Sequence, residues 1–182
     1  MKLKKLKKRF LVLSVSFVML FTIFGTTSAH AEVYGGKWKS NIYIYCPPTP
    51  ASEHINSAIA AWNRTLIYSQ SNIRLYSAAS SSSANVIIDY RDYYGAATAE
   101  TFLYPSSGSP QFTSGTIIIN NNKYNYLSYA KKNVVAIHEL GHILGLAHHF
   151  GSQQSIMIPN IGDVNNILLP TSYDQSQIDL LY

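Results

Sequence analysis

"HELGHILGLAHH", residues 138–149, brings His138, His142, His148 and His149 together with one acidic residue, Glu139, inside twelve positions. On an α-helix, residues four apart differ by ~40° around the axis and ~6 Å along it, so His138 and His142 project from one face toward a common point. Two ligands do not close a zinc site, because a catalytic zinc takes three from the protein and leaves a fourth position for water or substrate. The third cannot be the next position on the same face, since the ligands must converge tetrahedrally. Gly145 supplies the necessary turn, glycine being able to take the left-handed conformation that ends a helix, and His148 beyond it swings back beneath the metal. Glu139 is less suited to ligating the same ion than to holding a water on it. From there it can take the proton of that water and later pass it to a departing amine. A lone histidine is usually a surface or core group with ordinary hydrogen bonds, but the full spacing His-Glu-x-x-His-x-x-Gly-x-x-His arises by chance on the order of once in 10⁵ chains of this length.

Working outward, Leu127–Leu146 carries Ala130, Val134, Ile137, Leu140, Ile143 and Leu144 on a helical period, with Ser128 as N-cap and Gly145 as the stop. A second helix is expected after Ser52, read as its N-cap, with Ile55, Ala58, Ile59, Trp62 and Leu66 on its apolar face. Asn41–Cys46 alternates polar and apolar residues and reads as a strand that "PPTP" ends. Four more β-branched and aromatic runs, "NIRLYSA", "ANVIIDYRD", "AATAETFLY" and "GTIIIN", bring the expected total to about five strands. Ser80–Ser83 is read as a surface turn, and "DQSQIDLLY" as a closing helix.

The 182 residues suffice for one domain with a hydrophobic core. The first 31 read as a secretory signal peptide: a basic start with Lys2, Lys4, Lys5, Lys7, Lys8 and Arg9, an apolar run from Phe10 to Phe24, and Ala29-His30-Ala31 as the cleavage site. The rival reading is an uncleaved membrane anchor, for which the apolar run is shorter than the ~18–20 residues a spanning helix needs. The leader takes six of the fourteen basic residues and none of the nine acidic ones, leaving eight against nine, a net charge of −1 with histidine neutral. The scattered remaining cations give no electrostatic case for nucleic acid or for an anionic membrane surface. Cys46 is the one cysteine, so no internal disulfide can form. It reads as a small buried hydrophobe, with an intermolecular disulfide or a metal-regulating thiol as the alternatives.

The motif and the later "SIMIP", with Met157 nine residues past His148, together resemble the metzincin zinc proteases, whose long histidine motif is followed by a methionine turn. The likeness is closest to the matrixins, or matrix-metalloproteinase-like enzymes, because Pro159 stands two residues after Met157 where astacins and serralysins typically have tyrosine. The order of segments is also similar: "KWKSNIYIY" resembles the matrixin first strand, "INSAIAAWN" its first long helix, "NVIIDY" its third strand and "IDLLY" its last helix.

This resemblance implies an α/β (or α+β) zincin-like catalytic domain over residues 32–182, with a twisted, mostly parallel five-stranded sheet, two long helices and a C-terminal helix. It implies that His138, His142 and His148 bind one catalytic zinc, that Glu139 is the general base, that Gly145 makes the bend and that Met157 floors the site. Pro159, Asn160 and Ile161 would line the wall for the residue after the cut, and "AATAETFLY" would be an edge strand holding an extended substrate by β-augmentation. The implied protein is a secreted monomeric endopeptidase acting on proteins or peptides, without nucleic acid or a stable membrane attachment once the leader is removed. The expected start at Glu32 leaves no room for the cysteine-bearing pro-segment common in the family. Only His54 and His149 remain for the family's second zinc, so one ion is expected. Asp89, Asp92 and Asp163 are the carboxylates available for calcium, which the family often uses, although they form no packed loop of alternating ligands. His149 would point away from His148 in extended chain and is not expected to ligate. A non-catalytic extracellular module that keeps zinc for stability is the alternative function; Glu139 counts against it, a structural site having no use for a base.

Overall fold

The alternation of Asn41–Cys46 becomes strand β2 (Ile42–Tyr45) in the computed structural model, which describes residues 34–160 and 167–182. Ile42 and Ile44 are buried while Tyr43 faces solvent, the period-two pattern of a strand with one covered face. Around it stand β1 (Lys37–Trp38), β3 (Leu75–Ser77), β4 (Val86–Arg91), β5 (Ala99–Pro105) and β6 (Gln111–Asn120). Among the described residues four α-helices, α1 (Ser52–Ile67), the single turn α2 (Asn121–Tyr124), α3 (Tyr129–Ile143) and α4 (Ser172–Leu181), and a 3₁₀ turn at Ser81–Ser83 complete the fold. The expected signal peptide, Ile161 and Asp163 lie outside the described residues. No helix among the described residues is long and apolar enough to cross a membrane.

The sheet has six strands, in the order β1-β6-β4-β2-β3 with β5 also paired to β6, and every pairing is parallel except the antiparallel β5–β6. The mixed α/β architecture and mostly parallel sheet are as the sequence implied; the strand count is one higher. The difference is that "KWKSNIYIY", likened to a single first strand, is divided: Lys37–Trp38 pairs with Gln111 and Phe112, whereas Ile42–Tyr45 pairs with β3 and β4. Register aligns Ile44 with Val86, Ile88 with Ile117 and Tyr90 with Ile119. Ile44, Val86, Ile88, Ile117 and Ile119 are thereby buried beneath α1 and α3. The two long helices are tied by the indole of Trp62, which donates to the Ile137 carbonyl at 2.7 Å, and α3 is tied toward β1 by Trp38, which donates to the Ile143 carbonyl at 2.6 Å.

Helix starts follow side-chain chemistry with one correction. Ser128 caps α3 as expected, its hydroxyl accepting from the Lys131 N–H. Ser52 does not cap α1 but is its first residue; its hydroxyl turns back to the Thr49 backbone, accepting from its N–H and donating to its carbonyl. A side-chain cap accepts from an N–H two or three residues farther on, and the Ser52 hydroxyl is instead engaged at Thr49. Thr171 and Asp174 form a reciprocal capping box on α4. Asp174 is fully buried and also accepts from the Ser155 hydroxyl at 2.5 Å and the Ile156 N–H at 3.1 Å, binding α4 to the loop that precedes Met157.

Replacing that carboxylate strands several buried donors at once. Asp174→Ala is expected to lower stability by about 2–4 kcal/mol, read from the shift of the urea midpoint at unchanged slope; a loss below about 0.5 kcal/mol would show that the loop is held by other contacts.

Candidate metal centre

Two of the three motif imidazoles come from one helix and the third from the chain beyond its end. His138 and His142 stand one turn apart on α3, with ring centroids 4.7 Å from each other. α3 then ends in a Schellman turn: the Gly145 N–H bonds the His142 carbonyl at 2.9 Å, the Leu146 N–H bonds the Gly141 carbonyl at 3.1 Å, and Gly145 has φ +101°. A side chain at Gly145 would be strained by that φ and would lie 3.0 Å from the Gly36 carbonyl oxygen, so glycine is required on two counts. The reversal brings the His148 ring to 4.7 Å from His142 and 5.2 Å from His138. One nitrogen from each of the three histidines lies within 4.8 Å of the others. Around a tetrahedral zinc such nitrogens stand about 3.3 Å apart, a separation small side-chain rotations can reach from here.

The tautomers favour the same use. Nδ1 of His138 donates to the Ile156 carbonyl at 2.8 Å, and Nδ1 of His142 donates to the Leu146 carbonyl at 2.7 Å. A carbonyl can only accept, so each Nδ1 carries the proton and each Nε2 keeps its lone pair for a metal. Burial pushes His138 down to about 4 and His142 down to about 3, the latter also through its proximity to His138. His148 is lowered by burial as well. Three neutral, converging imidazoles fit a divalent zinc.

Glu139 is buried on the wall of this site. Burial raises its pKa to about 7, with Glu100 adding to the rise and a hydrogen bond from Thr101 opposing it. Thr101 Oγ1 donates to Glu139 Oε2 at 2.6 Å. The residues open onto a cleft of about 530 Å³, bounded by Ala96–Ala99, Leu127, Lys131, Val135, Pro159 and Asn160. Pro159 and Asn160 line this cleft together with His138, Glu139 and His148. Among the described residues β5 pairs only with β6, and its other edge takes no strand beside the cleft.

Met157 is buried under α3, and the reason is Gly141, an unremarked position of the motif. A Cβ there would come within 2.3 Å of the Met157 sulfur and 3.0 Å of the Trp62 ring. The sequence pattern also missed Thr101, one hydroxyl in an ordinary-looking strand, and Tyr34, whose ring packs at 5.4 Å on His142 and whose N–H bonds the Gly145 carbonyl. His149 lies outside the converging group; its ring packs on Tyr173 at 4.5 Å and its N–H bonds the Met157 carbonyl. Asp89 is paired with Arg91 at 3.2 Å. Cys46 is half-buried against the core, which raises its pKa.

Two outcomes follow from this packing. Gly141→Ala is expected to cost about 1–3 kcal/mol in thermal unfolding of the metal-free protein, because the buried Met157 thioether must move off the new methyl while Trp62 is held by its indole hydrogen bond; an unchanged melting temperature would mean that Met157 moves at no cost. In metal-free protein His138 and His142 stay neutral when folded down to about 4 and about 3, whereas the unfolded chain protonates them near 6.5. Glu139 acts oppositely between 4.5 and about 7, the folded state then holding the extra proton and offsetting one histidine. Urea midpoints should therefore fall gently from pH 6.5 to 4.5 and more steeply from 4.5 to about 4, below which folded His138 itself takes a proton and the fall eases; a flat profile would mean that the imidazoles ionise freely in the fold.

A family model described as matrixin matches residues 46–182. No curated protein matches the chain.

Proposed function

Because the chain belongs to the matrixin family of zinc metallopeptidases, we propose that it is an exported endopeptidase that cuts proteins or peptides by water attack, with Glu139 as general base. The observation that carries this reading is a buried carboxylate next to three neutral imidazoles that converge at an open cleft. His138, His142 and His148 would hold the zinc, which when bound supplies Lewis acidity toward the substrate carbonyl and the attacking water.

The chain's own residues account for the rest. Glu139 takes a proton from the attacking water and returns it to the departing amine; burial, which raises its pKa to about 7, suits it to both transfers near neutral pH. The open edge of β5 offers main-chain groups to an extended substrate. Leu127, Val135, Pro159 and Asn160 form the cleft wall for the residue after the cut. Export rests on the leader read at residues 1–31.

The test pairs the mature chain from Glu32 with a Glu139→Ala variant, measuring zinc content and casein cleavage. Wild type should hold one zinc and cut, while the variant keeps zinc and loses on the order of 10²–10⁴ in rate. If both hold zinc and neither cuts casein or a broad peptide set, the non-catalytic zinc module becomes the better account.

A further inference from the structure

The geometry points to Thr101 as the residue that positions Glu139, holding one carboxylate oxygen so that the other faces the reacting water. This rests on the endopeptidase reading above. The torsion that orients a carboxylate is broad and roughly two-fold, so burial alone does not choose which way its oxygens point. A specific partner must. Thr101 Oγ1 stands 2.6 Å from Glu139 Oε2, the short separation of a hydroxyl donating to a charged oxygen.

The strand delivers that hydroxyl without adjustment. Thr101 is paired with Ile117, a fully buried residue of β6, so its side chain shares the face turned toward α3. Glu100 and Phe102, on either side, take the opposite face by the strand's alternation. Threonine is β-branched and stiff about its first torsion, so the hydroxyl is placed by the backbone rather than found by a mobile side chain.

A hydroxyl also suits both halves of the cycle. Thr101 Oγ1 lies 3.3 Å from the Glu139 backbone carbonyl as well as beside its carboxylate. It has one proton to give and lone pairs to accept with. While Glu139 is a carboxylate, the hydroxyl donates to Oε2. Once Glu139 has accepted the proton of the attacking water on its other oxygen, Oε2 is the carbonyl oxygen of the acid and still accepts from the hydroxyl. No net proton is gained or lost at Thr101. Because β5 is the strand whose open edge would take the substrate, substrate docking and alignment of the base are borne by the same segment.

The experiment compares wild type with Thr101→Val, which keeps the shape and removes the hydroxyl, and Thr101→Ser, which keeps the hydroxyl. Zinc content and steady-state kinetics would be measured for each, with crystal structures of the metal-free proteins. Thr101→Val should bind zinc fully and lose about tenfold in kcat with KM within about twofold, and Thr101→Ser should stay within about threefold of wild type. In the crystals, Glu139 should hold one orientation in wild type and Thr101→Ser, and more than one in Thr101→Val. An unchanged kcat in Thr101→Val, equal losses in both variants, or a Glu139 orientation indifferent to the substitution would overturn the assignment. If wild type cuts nothing, the endopeptidase reading fails, and the crystal comparison still decides whether Thr101 orients Glu139.

Discussion

A straight helix can aim two imidazoles at one point but not three, and the organisation of this site follows from that constraint. His138 and His142 exhaust what α3 can contribute, so the chain has to reverse within a few residues and come back. The reversal at Gly145 is done with φ +101° and two hydrogen bonds to the last turn of the helix. The same turn exposes the Leu146 carbonyl to Nδ1 of His142, so the bend that brings in His148 also orients one of the other two rings. Steric freedom at one glycine therefore supports both the third imidazole and the tautomer of the second.

A second layer lies beneath. Met157 can press against α3 only because Gly141 has no side chain, and the preceding Ile156 carbonyl meets Nδ1 of His138. Asp174 in turn anchors this loop through Ser155 and the Ile156 N–H. The site is thus framed on one side by the helix end, on another by the buried loop and on a third by β5, with no disulfide among them. Close packing and hydrogen bonds to backbone hold these sides together.

The parts legible in sequence are those where chemistry and period coincide. The histidine spacing, the apolar face of α3, the cap at Ser128 and the alternation in β2 each leave a repeating mark, and each stands where expected. The parts that escaped have no repeat to read. Lys37–Trp38 is two residues long, and its pairing with Gln111 and Phe112 spans more than seventy positions. Asn121–Tyr124 is a single turn, too brief for a helical period. Ser52 has the right chemistry for a cap but neighbours a proline turn that claims its hydroxyl. Thr101 matters only through a register that sets it opposite Ile117, and register is decided between strands, not within one. Gly141 is informative only when its neighbours Met157 and Trp62 are known.

The peptide plane at Ile156 has a consequence of its own. Its N–H is held by Asp174 of α4 and its carbonyl holds His138 of α3, so a single residue joins the closing helix to the first imidazole of the motif. Excised as a short peptide, "HELGHILGLAH" would keep its three histidines and lose this partner. The orientation of the first imidazole is in that sense a tertiary property: the motif supplies the histidine, and the loop that α4 anchors supplies the carbonyl that turns its ring.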